Sequence, residues 1–373
     1  LLKSDNGSLY PFGGVVTSGL RAVQVGNPDL KWETAEQTNI GIDFGLLQDR
    51  VTGTVDIYQK NTKDLLLNRA VPQPAVVSSR IENIGSLRNR GIEGSLDMQL
   101  WSSGKKSLTG GLVLTVERNQ VTSLGDTTAA CAADSTTQSF RAASNAKCTF
   151  IQSGFVFGQG QSNQYSQIIL RGQPLGSFLA PRFIAVKNGQ QYFACTVAGP
   201  SCVNGQTTDP TDADREFIGS ANPSFTLGVR NNAAWGALDM AWLWRGEFGG
   251  KTFNNTALVY QTKSDAAQGR NFIAAAIGMP DNIHEPAKFS SRWIEDRTFV
   301  RLQNMTLGYT LPQSLTRGRT TRAYASGDNL LLFTGYSGYD PEVFVASGLA
   351  SRGIDYLTYP PTRRFTVGAR TQF

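Results

Sequence analysis

Residues 363–373 constrain the fold of this chain more than any other segment. Phe365, Val367, Ala369, Thr371 and Phe373 fall on one face of an extended strand, and Arg364, Thr366, Gly368, Arg370 and Gln372 on the other. Side chains alternate with period two along a strand, so the segment has an apolar and a polar face, and it ends on an aromatic residue. A strand of about 9–11 residues with that alternation suits the wall of a transmembrane β-barrel. Phe365, Val367, Ala369 and Phe373 are expected to face lipid, and Arg364 and Arg370 the lumen.

The same alternation recurs upstream. Ile40, Ile42, Phe44 and Leu46 lead through a turn at Gln48-Asp49-Arg50 into Val51, Val55 and Ile57. A long polar stretch, 62–89, reads as a loop. Ile92, Leu96, Met98 and Leu100 then turn at 102–105 into Leu108, Leu112, Leu114 and Val116, and a longer loop, 119–173, follows. Segments 178–186 and 191–196, joined by Asn188-Gly189, form a weaker candidate pair, because Asn-Gly favours a hairpin turn. Phe225, Leu227 and Val229 turn at Trp235-Gly236 into Leu238, Met240, Trp242 and Trp244. Loop 249–296, strands near 299–311 and 320–333, and loop 334–361 lead to the terminal strand.

Short turns and long loops therefore alternate, as in outer-membrane barrels. Long structureless loops are rare inside compact soluble domains. The clear strands number nine, or eleven with the weaker pair. Bacterial barrels have an even number of strands, so an odd count, with a chain that starts Leu1-Leu2-Lys3, reads as the C-terminal part of a larger barrel. Trp101 and Trp235 at short-turn ends would join Phe373 in one aromatic girdle. Asp43, Asp56, Glu93, Asp97, Asp239 and Arg245 lie on the opposite face and imply water there. A β-sandwich with one wet face would show similar alternation; the loop asymmetry favours the barrel. No apolar run is long enough for a transmembrane helix, which leaves barrel strands untouched.

The 373 residues carry a net charge of +6 without a basic block, which argues against nucleic-acid binding. His284 is the one histidine, so neither a His-based triad nor a multi-His metal site is expected, and no phosphate loop or nucleophile elbow occurs. The chain reads as no enzyme, with no cofactor. Asp209, Asp212, Asp214 and Glu216 crowd one loop; they offer oxygen ligands for calcium without EF-hand spacing, and read equally as a solvated acidic turn. Cys131 and Cys148, and Cys195 and Cys202, form two sequence-local pairs without CxxC spacing. They suit two loop disulfides in an oxidising compartment, with free thiols as the other reading.

A family resemblance then joins these segments. Residues 26–33 (GNPDLKWE) followed by Asn39-Ile40-Gly41-Ile42-Asp43-Phe44, Thr62-Lys63-Asp64-Leu65-Leu66, and Asn89-Arg90-Gly91-Ile92-Glu93 resemble the SusC/RagA class of TonB-dependent outer-membrane transporters. So do residues 172–178, the run 214–223, Arg301-Leu302-Gln303-Asn304-Met305-Thr306-Leu307-Gly308-Tyr309, Gly327-Asp328-Asn329-Leu330, Gly338-Tyr339-Asp340-Pro341-Glu342, and the terminal Phe373. The motifs run in family order along nearly the whole chain, 1–373. The resemblance implies an all-β fold: the C-terminal half, about 9–11 strands, of an antiparallel barrel of about 22 strands, without plug or first strands. It implies import of glycans or oligopeptides across a Gram-negative outer membrane, with the C-terminus periplasmic. The implied partners are outer-membrane lipid, a SusD-like surface lipoprotein, the TonB complex through the missing N-terminal part, and the barrel assembly machinery. That machinery would read Phe365, Val367, Ala369, Thr371 and Phe373 as an assembly signal. A passive porin-like channel and a surface adhesin remain as alternatives.

Overall fold

The computed structural model describes residues 2–22, 26–70, 77, 79–125, 150–162, 164–195, 200–342 and 352–372. In chain order the strands are β1 (Leu2–Phe12), β2 (Val15–Ala22), β3 (Thr34–Leu46), β4 (Val51–Ala70), β5 (Ser79–Ser103) and β6 (Lys106–Ser123). Seven short strands follow: β7 (Phe150–Phe155), β8 (Tyr165–Leu170), β9 (Ser177–Pro181), β10 (Phe183–Lys187), β11 (Gln190–Ala194), β12 (Gln206–Thr207) and β13 (Arg215–Ser220). The chain continues with β14 (Phe225–Trp235), β15 (Leu238–Phe248), β16 (Lys251–Asn254), β17 (Ile294–Asp296), β18 (Phe299–Thr310), β19 (Thr320–Thr334), β20 (Ile354–Asp355) and β21 (Arg364–Gln372).

Nine of these build one sheet in the order β21-β19-β18-β15-β14-β6-β5-β4-β3. Every pairing in it is antiparallel. They are the nine strands expected from alternation. Among the described residues neither β3 nor β21 carries a second neighbour, so the sheet is an open section of barrel wall. The register fixes its faces, since directly opposed residues share a face. Ile40, Ile57, Ile92 and Val116 form one row, and Leu307, Ala325 and Val367 another. Ile40 is 72% and Val367 85% exposed. Such surface is unfavourable in water by about 25 cal/mol per Å², and lipid removes that penalty. From Ile92 to Leu100, about 3.4 Å per residue at a tilt of about 40° spans a little over 20 Å, close to the apolar band of outer-membrane barrels.

Aromatic pairs edge this band. Trp101 and Trp235 meet at 6.2 Å between ring centroids, and the Lys106 ammonium sits 3.8 Å above the Trp235 ring. Phe225 and Phe248 stack at 4.5 Å at the opposite end. Phe373, expected in the girdle, lies outside the described residues. Thr371 stands opposite Thr321, with their hydroxyls 3.2 Å apart.

Several expectations are corrected. The polar stretch 62–89 is not simply a loop: β4 runs to Ala70 and β5 starts at Ser79, paired through Asn68↔Ile81. These positions lack apolar alternation because they lie beyond the lipid band. Segment 178–196 is no wall hairpin. Asn188 and Gly189 do make the turn, with φ of 51° and 81°, but it joins β10 to β11 in a separate three-stranded sheet with β12, while Phe178 belongs to β9. The hairpin β1–β2 was not anticipated. Its polar start hides it, although Gly13 and Gly14, with φ of 59° and 81°, suit a tight turn. Among the described residues it pairs only with itself.

The three long loops, expected as bare connections, fold together above one end of the wall. Val156, Phe178, Phe253, Leu258, Phe289, Trp293 and Ile354 form one buried cluster drawn from all three. The second and third loops join by a parallel pairing of β16 and β20, Phe253↔Ile354. The first and second join through Asn255, whose Nδ2 donates to the Phe157 carbonyl while its Oδ1 accepts from the Phe157 N–H at 2.7 Å. A disulfide links Cys195 and Cys202 beside β11; Cys131 and Cys148 lie outside the described residues.

Candidate functional site

The polar face of the wall is cross-linked by ion pairs that span three strands. Arg230 Nη2 on β14 donates to Asp97 Oδ1 on β5 at 2.6 Å, over Gly111 of β6. A Cβ on Gly111 would stand 2.5 Å from Arg230 Nε and 2.7 Å from Asp97 Oδ1, so only glycine leaves room for the bridge. Arg322 reaches Asp239 over Gly308 in the same way, its Nε donating at 2.8 Å. Arg364 pairs with Asp328 at 3.0 Å. Asp43 opposes Thr54, and Asp56 opposes Glu93 directly. Two carboxylates facing each other disfavour the fold locally, which a water-filled lumen screens. All six expected lumen residues thus share the polar face, but Arg230 and Arg322, the partners of two of them, were not singled out. The signal was present in the arginines and in the glycine on the intervening strand.

At the rim the pairs become continuous, half-buried at Arg245, Glu247 and Glu342 and buried at Arg297, Arg301 and Asp340. Glu247 accepts from Arg245 at 2.6 Å and from Arg297 at 2.8 Å. Arg245 also reaches Glu342 at 2.6 Å, and Arg301 lies 3.1 Å from Glu342. Arg301 Nη2 contacts both oxygens of Asp340 at 2.8 and 2.7 Å. Three cations and three anions alternate, and Arg301 and Asp340 are each 3% exposed. Burial of this kind is costly unless every charge is paired. The chain therefore ties the segment of Asp340 and Glu342 to the tops of β15 and β18. The family-like runs 301–309 and 338–342 take part in four of these contacts, which spacing alone could not disclose.

Two clefts lie at the loop layer, the first of them touching the network at Glu247. One of about 360 Å³ lies where the polar face meets the loops, lined by Asn89, Glu117, Asn119, Asn222, Glu247 and Arg352. The other, about 660 Å³, lies within the loop layer among Asn254, Gln261, Asp355, Leu357 and the tyrosines Tyr339 and Tyr359. Tyr339 and Tyr359 are about four-fifths exposed (78% and 81%). Behind them the Tyr336 hydroxyl donates to Asp355 Oδ2 at 2.7 Å. Burial pushes the Asp355 carboxyl above its ordinary value and the Tyr336 phenol well above its own.

Three of the four acidic-loop residues are taken up by internal contacts, while Asp209 is exposed and its N–H donates to the Thr207 hydroxyl at 3.1 Å. Asp214 accepts from the N–H and hydroxyl of Thr211 at 2.9 and 2.8 Å, Asp212 pairs with Arg215 at 2.9 Å, and Glu216 pairs with Arg182. Burial lowers the Arg215 value and Asp212 opposes that shift. Among the described residues, no group of three or more His, Cys, Asp or Glu side chains is placed to hold a metal ion. His284 sits in a loop, its N–H bonded to Asn282.

Comparison with known proteins places these features. The family model "TonB dependent receptor-like, beta-barrel" matches residues 4–330. "TonB-dependent receptor P3" of Formosa agariphila is 31% identical over 97% of this chain and 36% of its own length. "TonB-dependent receptor SusC" of Bacteroides thetaiotaomicron is 26% identical over 98% and 34%. A solved structure of the RagAB peptide transporter superposes with a TM-score of 0.75 at 22% identity, over all of this chain and 38% of that one. The chain thus spans little more than a third of the proteins it resembles.

Proposed function

The chain belongs to the TonB-dependent receptor-like β-barrel family, an outer-membrane family of receptors and transporters, and from that premise we propose that it forms wall and external loops of a nutrient importer. The long loops face outward and the C-terminus is periplasmic in this reading. Alternating short turns and folded long loops support it, as does the aromatic Trp101–Trp235 pair at the short-turn end.

One observation carries the reading: the continuous network of Arg245, Glu247, Arg297, Arg301, Asp340 and Glu342, buried at Arg297, Arg301 and Asp340 and half-buried at the others. A passive channel needs a hydrated wall. This network adds a fixed junction between wall and loop layer, with a cleft at Glu247, which suits capture of a solute above the lumen and its release into it. Asp43, Asp56, Glu93, Asp97 and Asp239 would line the path below. Glycans or oligopeptides are the cargo class, a SusD-like surface lipoprotein covers the loops, and TonB supplies energy through a plug carried outside this chain. The barrel assembly machinery recognises the terminal strand. The chain itself performs no covalent chemistry.

The test is growth on candidate glycans and peptides after deletion of the gene or of its TonB partner. Loss of uptake in both supports energised import. Uptake that persists without TonB and disappears without the barrel establishes a passive channel instead.

A further inference from the structure

The register leaves three arginines on the outward face with no place in the ion-pair scheme of the wall. Ile40, Ile57, Ile92 and Val116 stand side by side and close the apolar band at its long-loop end. One row further stand Thr38, Gln59, Arg90 and Arg118, and beyond them Glu36, Asn61, Arg88 and Gln120. All three arginines are exposed. Arg90 and Arg118 are directly opposed, with Cβ atoms about 5 Å apart, where like charges repel.

Charge balance marks this cluster out. On the polar face Arg230, Arg322 and Arg364 each hold a carboxylate. Among the described residues no ion pair joins Arg88, Arg90 or Arg118 to an acid. Arg118 Nη1 donates only to the carbonyls of Glu117 and Ser224, at 3.1 and 2.9 Å. Glu93 and Glu117 alternate onto the other face. Glu36 shares the row of Arg88 but lies two strands away, about 10 Å. The stacked Phe225 and Phe248 mark the edge of the lipid band on the adjoining strands. The arginines begin one residue pair, about 7 Å, beyond that edge.

We propose that Arg88, Arg90 and Arg118 form a docking surface for the phosphate groups of an outer-leaflet lipid. A guanidinium fork matches a phosphate by paired hydrogen bonds. A phosphate shared by Arg90 and Arg118 turns their repulsion into attraction, while the acyl chains of the same lipid lie along Ile57, Ile92 and Val116 below. The inference rests on the orientation above, with long loops outside, because that sets the cluster at the outer leaflet.

The test uses the complete folded protein in neutral detergent and native mass spectrometry. The probes are diphosphorylated lipid A, the same lipid stripped of phosphate, phosphatidylglycerol and inorganic phosphate. Diphosphorylated lipid A is expected to bind, and Arg90→Gln with Arg118→Gln to weaken it at least about tenfold, as loss of charged hydrogen bonds requires. Stripping the phosphates should weaken wild-type binding equally, which keeps the test decisive if the variant fails to assemble. Millimolar inorganic phosphate should leave lipid occupancy unchanged. Undiminished binding by the variant or by the stripped lipid overturns the proposal, and so does displacement by inorganic phosphate. Equal binding of phosphatidylglycerol also overturns it and points to the inner leaflet. None of these readings depends on cargo uptake, so failure of the import reading remains separate.

Discussion

Arg301→Met removes a deeply buried cation of the rim. Arg301 and Asp340 are each 3% exposed, and their contact is two-pronged at 2.8 and 2.7 Å. Methionine fills much of the volume but leaves the Asp340 carboxylate buried, with the Glu342 N–H at 2.9 Å as a remaining donor. Breaking a buried pair from one side costs about 3–5 kcal/mol. At about 1.36 kcal/mol per factor of ten, that raises the equilibrium for opening the adjoining loop some hundred- to several-thousandfold. Glu342 keeps Arg245, so the loss should stay local to the loop after β19. The assay is limited proteolysis under conditions where cleavage is slow relative to reclosing, so that the rate follows the open population. Arg364→Met serves as comparison. Its guanidinium is 74% exposed against Asp328, and an exposed pair is worth about 0–1 kcal/mol. Arg301→Met with Asp340→Leu removes both charges and should recover most of the protection. Equal cleavage of the two single variants, or no recovery in the double one, would refute the argument from burial.

Val367→Arg should cut the yield of assembled barrel far more than Thr366→Arg, because a mid-membrane charge on the lipid face costs about 2–4 kcal/mol; heat-modified gel mobility reads it, and equal yields would reverse the face assignment. Gly111→Ala should destabilise the wall by roughly 1–3 kcal/mol through overpacking against Arg230 and Asp97, measured by urea unfolding in detergent. Gly94→Ala, where the nearest atom to a new Cβ is 3.8 Å away, should be tolerated. Asp355 is raised by burial, so its protonated form is favoured in the fold. Its stabilising effect is full below the ordinary carboxylate range and is lost as pH rises through the raised value. Loop protection should therefore gain on acidification from neutral pH, relative to Asp355→Asn, and identical pH profiles would remove that role. Non-reducing peptide mapping should recover Cys195 linked to Cys202, and Cys131 linked to Cys148; four free thiols would contradict both pairings.

Much of the wall was legible because its physics is local. One face of each strand meets lipid and the other water, so the two environments write a period-two pattern into Ile40–Ile42, Met98–Leu100 and Phe365–Val367 that needs no partner to be seen. The short turns announce themselves through Gly104 and Gly236, which take positive φ. The face of Asp97 and Asp239 follows from the same alternation. The bounds of β4 and β5 did not, because beyond the lipid edge both faces are wet and the pattern ends while the hydrogen-bond ladder continues.

The sequence by itself determined that this chain makes antiparallel strands, where the nine clear ones lie, which side chains share the apolar face of each, and, through its ordered motifs, the family. Tertiary structure alone decided the partners. Arg230 lies 133 residues from Asp97, Arg322 83 from Asp239 and Arg245 97 from Glu342, and no periodicity links such positions. The loop layer is the extreme case. Val156, Phe253, Trp293 and Ile354 come from three separate loops, and no periodicity ties them to one another until the wall brings the loop ends together. A pattern enforced by solvent repeats along the chain and can be read from it, whereas a contact enforced by chain closure exists only once the sheet has set the distance between its ends.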